Sequence, residues 1–88
     1  MEIGVGQVVF SKCGRDKGRA FVVLSVEDGY VFLADGQLRP LNRPKKKKAK
    51  HTQPTHATMG VENNPGGLTD ADIRKGLLMF NLKQYKDE

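Results

Sequence analysis

At 88 residues, 38% apolar and 28% charged, the chain has room for one small domain, is too apolar to be wholly disordered and is too charged for a membrane protein. Its one cysteine, Cys13, excludes an internal disulfide, and the start of the chain lacks a basic stretch followed by a long apolar run, so a reducing, cytoplasmic setting without export is expected. The formal charge of +5 is unevenly placed: residues 12–50 hold eleven Lys or Arg against four Asp or Glu, while each flank comes to −1, which concentrates a positive field suited to a polyanion in one region.

In chain order, Val5–Ser11 carries Val5, Val8, Val9 and Phe10 and predicts a first strand. Gly14-Arg15-Asp16-Lys17-Gly18 then predicts a loop, because its glycines take positive φ without a Cβ clash. Ala20–Val26 is rich in β-branched and apolar residues and reads as a second strand. After Glu27, Asp28-Gly29 is a favoured two-residue hairpin turn into a third strand, Tyr30–Ala34. Asp35-Gly36 breaks the pattern again, and Gln37–Leu41 reads as one more short strand, confined by Pro40 to an edge or bulge. A fifth strand is expected over Lys50–Gln53. Short strands at this spacing with no helix between them predict a mainly β protein, a small antiparallel barrel over residues 1–53. Phe10, Phe21 and Phe32 are expected to pack in it, leaving Tyr30 as the aromatic best suited to stack on a base.

Within that span, residues 39–50 form a basic segment: Arg39, Arg43, Lys45, Lys46, Lys47, Lys48 and Lys50, with no acidic residue. Such cations repel one another and are expected to stay extended until an anion neutralises them, giving affinity for phosphates without sequence specificity; the alternative is a disordered charged connector. His51 extends the run. Residues 54–67 shift to Thr, Asn, Gly and Pro and read as a flexible linker. Residues 68–88 read as a short amphipathic helix and tail: Thr69 as N-cap with Asp72 three positions on, then Ile73, Leu77 and Phe80 at helical spacing. Gly76 weakens this helix by about 1 kcal/mol relative to Ala, so it is expected to need a partner surface.

The sharpest feature is the Gly-bounded basic loop between two apolar strands. It presents Arg15, Lys17 and Arg19 on a constrained turn beside a rigid sheet, which lets them meet phosphates with little loss of entropy. The run Gly6-Gln7-Val8-Val9-Phe10-Ser11-Lys12-Cys13-Gly14-Arg15-Asp16-Lys17-Gly18-Arg19-Ala20-Phe21-Val22-Val23-Leu24 resembles the KOW motif of ribosomal proteins and transcription elongation factors. The nearest likeness is to large-subunit ribosomal proteins of archaea and eukaryotes that carry a single KOW barrel, and to short bacterial proteins similar to them. The resemblance implies an SH3-like barrel whose loop between the first two strands contacts RNA and sometimes protein. It makes Gly18 the motif's fixed glycine, with Lys12, Arg15, Lys17 and Arg19 around it as contact candidates.

Other chemistries lack their residues. Cys13, His51 and His56 are too few and too scattered for a metal site, Gly4-x-Gly6 lacks the rest of a dinucleotide fingerprint, and no acid or base is placed to activate Cys13. No enzyme activity, cofactor, metal or small-molecule substrate is therefore expected. The reading is an RNA-binding accessory module associated with ribosomal or other structured RNA, contacting phosphates through the loop and the lysine-rich segment. The alternative is a protein-interaction adaptor that docks through the barrel or through Ile73, Leu77 and Phe80.

Overall fold

The computed structural model describes residues 3–60 and 67–86. Among these residues, five strands, β1 (Gln7–Ser11), β2 (Ala20–Glu27), β3 (Tyr30–Ala34), β4 (Lys45–Lys48) and β5 (Thr52–Thr58), precede one helix, α1 (Asp70–Lys86). The strands form one antiparallel sheet in the order β4-β3-β2-β1-β5. β4 and β5 lie at opposite edges of this sheet, yet only a single 3-10 turn, Ala49–His51, separates them in the chain. Three residues of that geometry advance the chain by only about 6 Å, so the sheet must curl until its edges approach. The Ala49 amide donates to the Gly29 carbonyl (2.8 Å) and the Lys12 amide to the His51 carbonyl (2.8 Å), tying the closing turn to both halves of the sheet. The result is a mainly β, SH3-like barrel with one terminal helix.

Alternation along the strands sorts the apolar residues into two cores. Val9, Phe21, Val23, Val31 and Leu33 point into the barrel and are essentially inaccessible to solvent. Val8, Val22 and Ala34 point the other way and are covered by Ile73 and Leu77 of α1. Phe80 closes the helix contact, its ring centroid 5.6 Å from that of Phe10. Burying an aliphatic side chain of this size contributes about 1.5–3 kcal/mol, so Ile73 and Leu77 account for why an otherwise marginal helix is stable here.

α1 begins with the reciprocal cap expected from its sequence. The Asp72 amide donates to Thr69 Oγ1 (3.1 Å) and the Thr69 amide donates to Asp72 Oδ2 (3.0 Å). Those Thr69 hydrogen bonds, with a smaller contribution from the charge of Lys75, hold the Asp72 carboxyl below its ordinary range against a weak opposing effect of desolvation. The same end of the helix grips the β3–β4 connection: Asp70 Oδ1 accepts from the Leu41 amide (2.8 Å), and Arg74 Nη1 donates to the Gly36 carbonyl (2.6 Å). Gly36 sits at φ +77°, and a Cβ there would overlap the Asp70 backbone oxygen. Gly76 likewise leaves room for the end of the Met59 side chain.

The Asp28-Gly29 hairpin forms as expected, with both residues at positive φ (48° and 81°) and Glu27 paired to Tyr30. Several other expectations are corrected. Gln37–Leu41 is not a strand, because Asp35 Oδ1 accepts from the Gln37 and Arg39 amides (2.9 and 2.8 Å) and folds the segment into a local turn. The lysine run is neither a solvated tether nor a disordered connector, since Lys45–Lys48 pair with β3 as an edge strand. The last strand starts later and runs farther than Lys50–Gln53, ending at Thr58 and so taking up residues 54–58 that were expected to be linker. An edge position tolerates its Pro54. Residues 61–66 of that expected linker lie outside the described residues. Ile73 and Leu77 are buried against the sheet and Phe80 partly so, which withdraws them as a docking face for another protein.

Candidate nucleic-acid interface

The β1–β2 loop is built around one acidic side chain. Backbone hydrogen bonds fold it first: the Gly18 amide donates to the Ser11 carbonyl (2.8 Å), the Arg19 amide to that of Asp16 (2.9 Å), the Lys17 amide to that of Gly14 (3.2 Å), and the Ser11 amide to that of Arg19 (3.0 Å). Gly14 and Gly18 supply the positive φ values, 87° and 86°, that this tight path requires. Asp16 is thereby turned inward, where its Oδ1 accepts from Ser11 Oγ (2.7 Å) and from Lys47 Nζ (3.2 Å) and its Oδ2 pairs with Lys45 Nζ (2.7 Å). Lys47 Nζ also donates to the Cys13 carbonyl (2.9 Å). The loop is therefore fastened to β4 at both its backbone and its carboxylate.

β4 can do this because it is a strand of four lysines with two different faces. Lys45 and Lys47 stand opposite Leu33 and Val31, on the barrel side, where their alkyl stems pack and their ammonium groups reach Asp16. Lys47 is only 8% exposed. Lys46 and Lys48 stand opposite Phe32 and Tyr30 on the outer side, with Lys46 Nζ 4.6 Å from the Tyr30 ring centroid and 6.0 Å from that of Phe32. Burial by itself would raise the Asp16 carboxyl. Hydrogen bonds from Lys45, Ser11 and Lys47, together with the Lys45 charge, outweigh that and hold it well below the usual carboxylate range. One carboxylate facing two ammonium groups leaves a residual positive charge inside the cluster.

With Asp16 turned in, the cations around it are turned out. Lys12, Arg15, Lys17 and Arg19 are exposed on the loop, as is Gly18. Arg39 and Arg43 are exposed on the β3–β4 connection, Lys46, Lys48 and Lys50 are exposed on and after β4, and His51 is half-buried in the 3-10 turn. Arg15, Arg19 and Arg39 come together with Lys45 around a cleft of about 290 Å³ that also touches Asp16, Asp35, Phe21 and Leu38. Both acids of this cleft are already engaged, Asp16 by lysines and Asp35 by backbone amides, and among the described residues none of the three arginines forms an ion pair. Lys47, by contrast, is buried and committed to the loop. Asp16 itself is the structural residue that sequence reasoning passed over; the available signal was a lone acid in the middle of a basic turn.

With its curled five-stranded sheet, a glycine-bounded basic loop joining β1 to β2, and a closing 3-10 turn, this chain has the form of a small SH3-like barrel, and it resembles the single-KOW ribosomal proteins. The large ribosomal subunit protein eL14 of Pyrobaculum calidifontis is 29% identical to it over 87 residues, spanning 98% of this chain and 82% of that protein. No protein-family model matches the chain.

Proposed function

We propose that this protein is a non-enzymatic RNA-binding module of the translation apparatus, cytoplasmic and associated with ribosomal RNA. The observation that carries this reading is the Asp16 cluster. By absorbing the loop's only acid into an internal contact with β4, it leaves Lys12, Arg15, Lys17 and Arg19 projecting from a loop whose backbone is already ordered. Phosphate contacts made from an ordered loop lose less entropy than contacts from a free tether, and they fix orientation on the RNA. Arg39 extends the contact face across the arginine-lined cleft, while Arg43, Lys46, Lys48, Lys50 and His51 supply further neutralisation. The similarity to a large ribosomal subunit protein favours ribosomal RNA over other polyanions.

The adaptor alternative loses Ile73 and Leu77 to the core, and the large apolar side chains that α1 keeps exposed among the described residues are Leu78, Met79 and Leu82. The test is binding to ribosomal RNA as a function of salt. Neutralising about six phosphates gives a slope of log affinity against log salt near −4 to −5. Replacing Arg15, Lys17 and Arg19 together by Ala, or Lys46 and Lys48 together by Ala, flattens it. No binding at about 0.1 M salt, or a slope near zero, refutes the proposal and points to a protein partner on the outer face of α1.

A further inference from the structure

The tip of the β2–β3 hairpin carries a second feature that phosphate neutralisation does not use. Tyr30 is half-buried at the start of β3, cross-strand from Lys48, and borders an open cleft of about 440 Å³ whose other walls are Asp28, Gly29, Ala49, Lys48 and Lys50. Lys46 Nζ covers one face of the Tyr30 ring, 4.6 Å from its centroid, and does not line the cleft, so the face left for a base is the other one. Lys48 and Lys50 are exposed and carry no ion pair among the described residues, and the single acid of the cleft, Asp28, sits in the turn itself.

From this geometry we infer that the cleft is a site for one unpaired nucleotide, with the base stacked on Tyr30 and its flanking phosphates held by Lys48 and Lys50. The inference rests on the RNA-binding reading above and adds a ligand form to it: an extruded or single-stranded base, because the faces of paired bases in a duplex are covered by their neighbours. The physical basis is the combination of a π-face with two cations on a rigid hairpin end. Stacking is tolerant of base identity, so the site confers preference for unpaired RNA without reading its sequence. It also gives the outer side of β4 a purpose distinct from that of its inner side, which holds the loop.

The test compares the full chain binding a labelled oligoadenylate and an RNA duplex of equal length, for the wild type, Tyr30→Phe and Tyr30→Leu. Loss of a base-stacking ring lowers affinity by roughly 5- to 150-fold. Tyr30→Leu is therefore expected to weaken oligoadenylate binding by that factor while duplex binding stays near that of the wild type, and Tyr30→Phe is expected to restore the oligoadenylate affinity. In the wild type, the Tyr30 ring protons are expected to move upfield in NMR spectra as oligoadenylate is added, a readout independent of whether any variant folds. Unchanged Tyr30 resonances at saturation, or equal losses for both RNAs in Tyr30→Leu, overturn the site while leaving the RNA-binding module intact. A wild type that binds neither RNA at about 0.1 M salt removes that reading and the site together.

Discussion

Replacing Asp16 by Ala tests whether the loop owes its order to one carboxylate. The change leaves Lys47, 8% exposed, with the Cys13 carbonyl as its remaining acceptor, whereas Lys45, whose side chain is 25% exposed, can turn toward water. Removing one member of a buried ion pair costs about 3–5 kcal/mol, and the freedom of Lys45 places this case near the lower figure. For a domain of this size each kcal/mol moves Tm by about 4–8 °C, so a fall of roughly 12–24 °C is expected in a thermal melt. The cost arises from an unpaired buried ammonium, so adding Lys47→Met to Asp16→Ala is expected to recover most of it. The pH dependence provides a second check. A carboxylate whose pKa falls on folding stabilises in full above its unfolded value and loses that contribution as the pH drops toward the folded value. Taking 3.8 as the ordinary value, the stability gap between wild type and Asp16→Asn stays constant from neutral pH to about pH 5 and narrows below that. An Asp16→Ala variant within about 0.5 kcal/mol of wild type, or a double variant no more stable than the single one, refutes the reasoning.

Gly36→Ala is expected to cost at least about 2 kcal/mol in urea unfolding, because φ is +77° and the added Cβ meets the Asp70 backbone, whereas Gly76→Ala meets only the flexible end of Met59 and is expected to stay within about 1 kcal/mol of wild type. Ile73→Ala is expected to lose about 2–5 kcal/mol by the same assay, since Ile73 is fully buried against Val8, Val22 and Ala34. Removal of residues 68–88 accordingly exposes that cluster, and circular dichroism is expected to register loss of the fold itself. Leu78→Ser, on the outer face of α1 at 59% exposure, is expected to leave both stability and salt-dependent RNA binding near wild type, measured on one preparation by melting and titration.

The parts of this fold that could be read from sequence are those decided locally. Asp28-Gly29 fixes its own turn, and Thr69 with Asp72 caps its own helix, so neighbours in the chain carry the information. β4 was illegible for the opposite reason. Inside–outside alternation is invisible in four identical letters, and what assigns Lys45 and Lys47 to the inside is Asp16, 31 positions from Lys47. The spacing of Ile73, Leu77 and Phe80 identifies an apolar stripe but not the surface it meets, which is the back of this same sheet. Residues 54–58 have a composition that suits a linker; an edge strand places few demands on its side chains and accepts Pro54. For the candidate interface, the exposed loop cations were legible as a set, whereas the division of the lysine run into a holding side and a solvent side was not.

β4 also bears on self-association. An edge strand offers a row of unpaired backbone groups to any passing strand, including the same strand of a second copy. Here the row belongs to Lys45–Lys48, so a second molecule docking its own β4 antiparallel to it would set lysine against lysine at every position. Like charges directly opposite one another disfavour such a pairing on either face of the sheet. The same strand whose Lys45 and Lys47 fasten the loop thus disfavours pairing of two barrels edge to edge through β4, and a polyanion that masks its charge is expected to relax that protection along with the repulsion.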